Sequence, residues 1–265
     1  MYIIRQTALN DYLTCPHMCM HRWGKFGEVS PCDETEQEQN KYAAIGTAFH
    51  ETMEKWGLQK KAGVQLSKED LWQDLTVRVD AISSDLFDNE DEIEKFRDSL
   101  EKQLDWIYGD LLGTPLAVEE KFENEELIEG LPGFSGTMDR IDGTVESRIL
   151  TLKDYKTGKV YTKKQLANNI QATIYSLYVK KKYGFYPSHF VFLFSKFKKE
   201  KTVFITEDYI NQNTEYIKEI WNNILNQNFN PLHNRSKFFC NNFCNYKPNC
   251  IAYTKVPKGW ENVGN

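Results

Sequence analysis

An aspartate and a lysine two residues apart, Asp154 and Lys156, lead the residues of this chain that are equipped for chemistry. On a β-strand that spacing puts both side chains on one face, with Tyr155 turned away and its backbone carbonyl near the site. A carboxylate so placed holds a hard divalent cation. A lysine beside it orients or deprotonates an attacking water and offsets phosphate charge. Asp139, on a neighbouring strand, supplies a second carboxylate. His50 adds an imidazole, which makes Mn²⁺ at least as suitable as Mg²⁺. Gln171 and Tyr175 lie four apart and share one helix face, from which they brace the lysine or meet a nucleic-acid strand. Glu119 reads equally well as a supporting acid of the site and as a surface strand residue. His50-Glu51-Thr52-Met53-Glu54 lacks the second histidine of a zinc-protease helix, so that chemistry is excluded.

The elements that must position these groups follow from periodicity. Ile45, Phe49, Met53 and Trp56 mark a helix over 41–59. Two further helices are expected between Leu66 and Leu112, the first opened by Ser67 and Asp70, the last stopped by Gly113 and Pro115. The period then becomes that of strands: 116–122 with 125–128 as a candidate partner, then 134–141 and 148–155 around a turn at Asp142-Gly143. A helix over 163–183, strands over 189–195 and 202–206, and a helix over 208–228 complete the core. The fold class is α/β: a central mixed β-sheet flanked by helices, with a helical lobe inserted early. The expected organisation is one domain over 1–265, with the helical lobe at 41–112, the core at 116–228 and a cysteine-rich tail at 229–265.

Of the 265 residues, 40% are hydrophobic and 27% charged, an ordinary globular balance that excludes a disordered chain. No apolar run reaches the ~18 residues that span a bilayer, so no membrane role is expected. Residues 1–6 do not have the build of a secretory leader, so a cytoplasmic location is expected. The net charge of −5 argues against a nonspecific coat on nucleic acid but leaves room for a local basic groove.

Four motifs stand in one order: Gly46-x-x-x-His50, Gly136-Thr137-Met138-Asp139-Arg140-Ile141-Asp142, Asp154-Tyr155-Lys156-Thr157-Gly158 and Gln171-x-x-x-Tyr175. Together they resemble the motifs of RecB-like nucleases of the PD-(D/E)XK superfamily. Leu9 to Pro16, with its Cys15-Pro16 step, is similar to that family's opening helix, and the resemblance runs from about Thr7 to Cys250. It implies a restriction-endonuclease-like core. It also implies metal ligands at His50, Asp139, Asp154 and the Tyr155 carbonyl, Lys156 as catalytic lysine, and Gln171 and Tyr175 as supporting residues.

Six cysteines are present: Cys15, Cys19, Cys32, Cys240, Cys244 and Cys250. In a reducing compartment they point to metal rather than disulfides. Cys240, Cys244 and Cys250 with one remote thiol suit zinc or a [4Fe–4S] cluster, and spacing alone does not choose. The arrangement is similar to iron–sulfur RecB-like nucleases, including AddB-type helicase–nucleases and CRISPR-associated adaptation exonucleases. That resemblance implies a [4Fe–4S] cluster on Cys15, Cys240, Cys244 and Cys250, joining the two ends of the chain. Three residues separate Cys240 from Cys244 where the family usually has two. Cys19, four residues beyond Cys15, is an alternative ligand, and Cys32 is expected to be a free thiol.

Lysines crowd the site in sequence (Lys153, Lys159, Lys163, Lys164) and a later hairpin (Lys196, Lys198, Lys199, Lys201). Lys180-Lys181-Lys182 is read as a solvated face. With Tyr155, Tyr161 and Tyr175 available for stacking, single-stranded DNA is the expected substrate. The expected function is a metal-dependent deoxyribonuclease, an exonuclease in recombination, repair, phage DNA processing or CRISPR adaptation. No helicase motif is present, so a helicase, recombination or CRISPR-adaptation partner is expected to do any unwinding. The alternatives are a flap-directed endonuclease and an iron–sulfur DNA-binding subunit of a larger complex.

Overall fold

The structure, a computed structural model, describes residues 3–23, 41–230, 240, 244 and 250. Two compact units interleave along the chain. The described residues of 1–37, 123–135 and 212–265 form one, and those of 38–122 and 136–211 the other.

In the first unit a short strand, β1 (Ile3–Arg5), leads into α1 (Gln6–Thr14) and α2 (Pro16–Trp23). Proline disfavours helical backbone at the residue before it, so α1 ends at Cys15, which is extended (φ −164°), and α2 starts at Pro16. Asp11 joins the two helices by accepting hydrogen bonds from Arg22 Nη1 and Trp23 Nε1, both at 2.8 Å. β1 runs parallel to the first residues of β3 (Gly133–Thr144), with Ile3 opposite Gly133 and Arg5 opposite Ser135.

The second unit holds three long helices, α3 (Lys41–Lys61), α4 (Lys68–Asp80) and α5 (Glu90–Ile107). Ser67 and Asp70 form the reciprocal cap expected from their spacing, and Asn89 caps α5 ahead of three acidic residues. The helices bury Phe49, Met53, Trp56, Leu71, Leu75, Leu100 and Leu104 together with Tyr155, Val191 and Leu193 of the sheet.

The sheet contains β2 (Ala117–Glu125), β3, β4 (Ile149–Lys156), β5 (His189–Phe194) and β6 (Lys199–Phe204). β4 pairs antiparallel with β3 and parallel with β5, and β5 pairs antiparallel with β6. Alternation sorts the faces. Tyr155, Val191 and Leu193 point to the helical lobe, whereas Asp154 and Lys156 share the other face with Phe192 and Phe194. The segments α6 (Lys163–Ala167) and α7 (Ile170–Tyr183) follow β4, and α8 (Glu207–Leu225) follows β6.

Several boundaries differ from the sequence expectation: β6 begins three residues early, α8 ends at Leu225, and three further differences bear on the site region. The helix expected over 163–183 breaks at Asn168-Asn169, because the Asn169 side chain accepts the Ala172 N–H (2.9 Å) and so opens a new helix. β2 continues to Glu125, and 125–128 forms no second strand. β3 runs through Asp142-Gly143 to Thr144, and the turn falls at 145–148, where Ser147 donates its N–H to Thr144 Oγ1 (3.2 Å).

Candidate active site

The antiparallel register of β3 and β4 pairs Arg140 with Lys153, which brings Asp139 across from Asp154. Asp139 Oδ2 accepts the backbone N–H of Tyr155 (2.8 Å) and faces His50 Nδ1 at 3.3 Å. His50 comes from the middle of α3, one residue after Phe49, whose buried ring fixes that helix on the core.

Glu119 completes this group. Ligand atoms of His50, Glu119 and Asp139 all lie within 4.8 Å of one another. Glu119 reaches the site from β2 with a left-handed backbone (φ 47°) inside a strand. That conformation costs on the order of 1 kcal/mol and persists only where the surroundings enforce it. The sequence left this residue open between a supporting and a surface role, and its geometry puts it among the candidate ligands.

Asp154, 2% exposed, is held from two sides. Its Oδ1 accepts from Gln171 Nε2 (2.5 Å) and its Oδ2 faces Lys156 Nζ at 2.7 Å. Lys156 Nζ also donates to Gln171 Oε1 (3.1 Å), which closes a three-residue ring. Tyr175, one turn along α7, is buried between Phe122 and Phe190. Gly136 permits that packing, since a Cβ there would lie 2.9 Å from both the Phe122 and Tyr175 rings.

The charges constrain one another. Burial pushes the Asp154 carboxyl up, and Asp139 adds to this against the pull of Lys156. Burial would raise Asp139 too, but His50 and Lys156 hold it below the usual range. His50 is disfavoured as a cation by burial, yet Asp139 outweighs this and raises it. Burial, then Asp139 and Glu54, push Glu119 up to about 7. Lys156 is likewise raised, because Asp154 overcomes the cost of burying its ammonium. Three carboxyl groups thus crowd one imidazole and one ammonium. A divalent cation relieves that repulsion, and the all nitrogen and oxygen donor set fits Mg²⁺ or Mn²⁺.

Arg140, unassigned by the sequence reading, is 1% exposed and braces the site from behind. Its guanidinium bonds Asp110 (2.9 Å) and Asp142 (2.6 Å), lies 3.4 Å from the Tyr155 hydroxyl and stacks 4.7 Å from the Trp56 ring. Asp110 comes from the turn after α5, and nothing in the local sequence marks it for this role.

Other expectations change. Tyr155 and Tyr175 are 2% and 4% exposed and packed in the core, so neither ring offers a stacking face. Tyr161 is half-buried, edge-on to Phe192 and Phe194 at 5.1 Å. Lys153 is committed to Asp110 and Asp142 rather than to a substrate. Lys180, Lys181 and Lys182 stay exposed on α7, with Lys180 over the Tyr186 ring and Lys182 paired with Glu120. None of Cys15, Cys19, Cys240, Cys244 and Cys250 takes part in a disulfide. The Cys19 thiol is fully buried and donates to the Ala8 carbonyl (3.4 Å). Cys32 and most of the tail expected at 229–265 lie outside the described residues. Among the described residues, no helix is long and apolar enough to cross a membrane.

A family model for the PD-(D/E)XK nuclease superfamily matches residues 5–251. This chain belongs to the PD-(D/E)XK nuclease superfamily. Membership makes it one of a group of metal-dependent nucleases, which are phosphodiester hydrolases. In the PD-(D/E)XK signature an acidic residue stands two positions before a lysine, the spacing of Asp154 and Lys156. No curated protein matches the chain.

Proposed function

We propose that this protein is a RecB-like deoxyribonuclease of the PD-(D/E)XK superfamily, most at home as a single-stranded DNA exonuclease. The observation that carries the reading is the convergence of His50, Glu119 and Asp139 beside the Asp154–Lys156–Gln171 ring. His50, Glu119, Asp139, Asp154 and the Tyr155 carbonyl would hold a divalent cation, Mn²⁺ or Mg²⁺. That cation supplies Lewis acidity and a nucleophilic water at neutral pH. Lys156, a fixed ammonium two residues from Asp154, directs its N–H groups at charge developing on the scissile phosphate. Asp154 and Gln171 hold the ammonium in place, so no reorganisation is needed at the moment of reaction. Tyr175 supports Gln171 from one turn away. Exposed Lys159, Lys163 and Lys164 after β4 offer phosphate contacts, and Tyr161 a partly open ring near Lys156.

The cysteines support a [4Fe–4S] cluster on Cys15, Cys240, Cys244 and Cys250. All four belong to the same unit, and the buried Cys19 thiol is turned to Ala8 instead. The setting we infer is a reducing cytoplasm, in recombination, repair, phage DNA processing or CRISPR adaptation, with unwinding left to a partner.

The test is digestion of end-labelled single-stranded DNA with Mn²⁺ or Mg²⁺ by protein purified without air, wild type beside Lys156→Ala. Wild type is expected to give a ladder of shortened products, and the variant to be slower by a factor of about 100 or more. Equal rates would remove Lys156 from the chemistry. A folded wild type inert with both metals would leave a DNA-binding role within a complex.

A further inference from the structure

Tyr161 lies in the short connection between Lys156, the last residue of β4, and α6. The next residue, Thr162, forms a reciprocal cap with Gln165. Its N–H donates to Gln165 Oε1 (2.9 Å), and its hydroxyl accepts the Gln165 N–H (3.3 Å). That cap fixes the backbone beside Tyr161. The Tyr161 ring lies across Phe192 and Phe194, 5.1 Å from each centroid, with planes at 71° and 80°. In the parallel register of β4 and β5 these two phenylalanines stand opposite Asp154 and Lys156, on the same face of the sheet. Lys156 Nζ lies 6.0 Å from the Phe192 centroid as well. Packing that uses only the ring of Tyr161 thus places it beside the ammonium.

The hydroxyl has no such employment within the protein. Tyr12, Tyr108, Tyr155, Tyr178 and Tyr209 each place theirs in a hydrogen bond, to Asn228, Leu66, Arg140, Glu120 and Leu166 in turn. A phenol that is largely buried ordinarily finds a partner of this kind. Among the described residues none bonds the Tyr161 hydroxyl, and that oxygen is not one of the sealed, unpartnered polar atoms, so a ligand can reach it. It is also close enough to the site to be felt there. Burial disfavours the Lys156 ammonium, and of the oxygens that favour its charge Asp154 comes first, Tyr161 second and Asp139 third. Burial raises the Tyr161 hydroxyl above its ordinary range, against the pull of Lys156, so it keeps its proton at neutral pH and is available as a donor.

We infer that Tyr161 is a further catalytic residue, whose hydroxyl donates a hydrogen bond to a non-bridging oxygen of the scissile phosphate beside Lys156. Lys156 and Tyr161 then present a cation and a neutral donor to one phosphate, and both are held before substrate arrives. The inference rests on the nuclease reading and assigns Tyr161 a hydrogen bond rather than only a stacking face.

The test is single-turnover cleavage of end-labelled single-stranded DNA with Mn²⁺ by the full-length protein, wild type beside Tyr161→Phe, Tyr161→Leu and Lys156→Ala. Tyr161→Phe keeps the ring on Phe192 and Phe194 and leaves no protein group without its partner, so its melting temperature is expected to match wild type. Its rate at saturating DNA is expected to fall at least about tenfold, with half-saturation within about twofold of wild type. The same comparison is made on DNA with sulfur in place of either non-bridging oxygen at the terminal linkage, one diastereomer at a time. Sulfur is a poor acceptor, so the loss caused by Tyr161→Phe should shrink in one diastereomer, because either change removes the same hydrogen bond. A loss undiminished in both diastereomers would overturn the inference and leave Tyr161 a packing role. Wild-type rates in Tyr161→Phe would overturn it too, and weaker DNA binding confined to Tyr161→Leu would then leave the ring as a stacking face. In both cases Lys156-dependent cleavage stands. A wild type that cleaves nothing would instead remove the nuclease reading, and this inference with it.

Discussion

Gln171 touches both members of the Asp154–Lys156 pair, donating to one and accepting from the other. A primary amide does both at once, donating from its nitrogen and accepting on its oxygen. Removing it leaves a buried carboxylate and a buried ammonium each short of a partner, and frees the lysine to swing. Gln171→Ala is therefore expected to lower the cleavage rate about 10–100-fold, the usual cost of losing a group that orients a site residue. The loss should appear in the single-turnover rate at saturating DNA. An unchanged rate there would show that Lys156 keeps its place without Gln171. Glu119 makes a related point at the same scale. Its backbone is left-handed inside a strand, and its carboxylate lies beside His50 and Asp139.

Among the elements, α3 matters most because it carries His50. It is joined to α4 through Asp74, which accepts from Thr52 (3.1 Å), Lys55 (2.6 Å) and Arg78 (2.8 Å), while Arg78 also reaches Glu51. Burial alone would raise the Asp74 carboxyl, but these three donors hold it below its ordinary value. A carboxyl depressed in the folded state stabilises above its unfolded pKa, near ~3.9, and that contribution disappears as pH falls through the folded value. Asp74→Asn is therefore expected to cost about 2 kcal/mol at pH 7 and progressively less below about pH 4, read from melting temperatures of both proteins across that range. A difference independent of pH would mean that packing, not charge, joins the helices. At the other helix of the site, Asn169→Ala removes the cap that separates α7 from α6. The expected cost is about 1 kcal/mol in denaturant unfolding, with a fall in activity beyond what stability explains, because Gln171 is the second residue of α7.

For the molecule as a whole, the chain builds its two units by weaving between them rather than by finishing one and starting the next. β3 begins beside β1 in one unit and carries Asp139 in the other. The cysteines proposed for the cluster come from positions more than two hundred residues apart in sequence yet belong to one unit. Loss of one ligand should therefore matter wherever in the chain it lies. Cys15→Ser and Cys244→Ser are each expected to abolish the visible absorbance of anaerobically purified protein and to lower its melting temperature. Cys19→Ser, at a buried thiol already bonded to Ala8, is expected to keep the colour. Colour lost only in Cys19→Ser would reassign the remote ligand.

Chemistry-bearing residues at short range were legible in the chain itself. Asp-x-Lys on a strand, Gln-x-x-x-Tyr on a helix and the cap at Ser67 depend on periods of two and of three to four, which are local properties of the backbone. The same local logic marked the core strands and the three helices of the lobe, but it did not mark β1 or α2, expected a strand at 125–128 that does not form, and misplaced boundaries such as Asn168-Asn169, where a side chain competes with the helix for its own backbone. What local pattern cannot express is which distant residues converge. Glu119 joins His50 and Asp139 only because β2, β3 and α3 meet. Arg140 finds Asp110 only because the turn after α5 packs behind β3 and β4. Tyr155 and Tyr175, plausible stacking rings in sequence, are consumed by the core. Spacing along the chain determined which groups face together on one element. Tertiary packing alone decided which elements meet, and so which carboxylates become neighbours and which aromatics are left for a ligand.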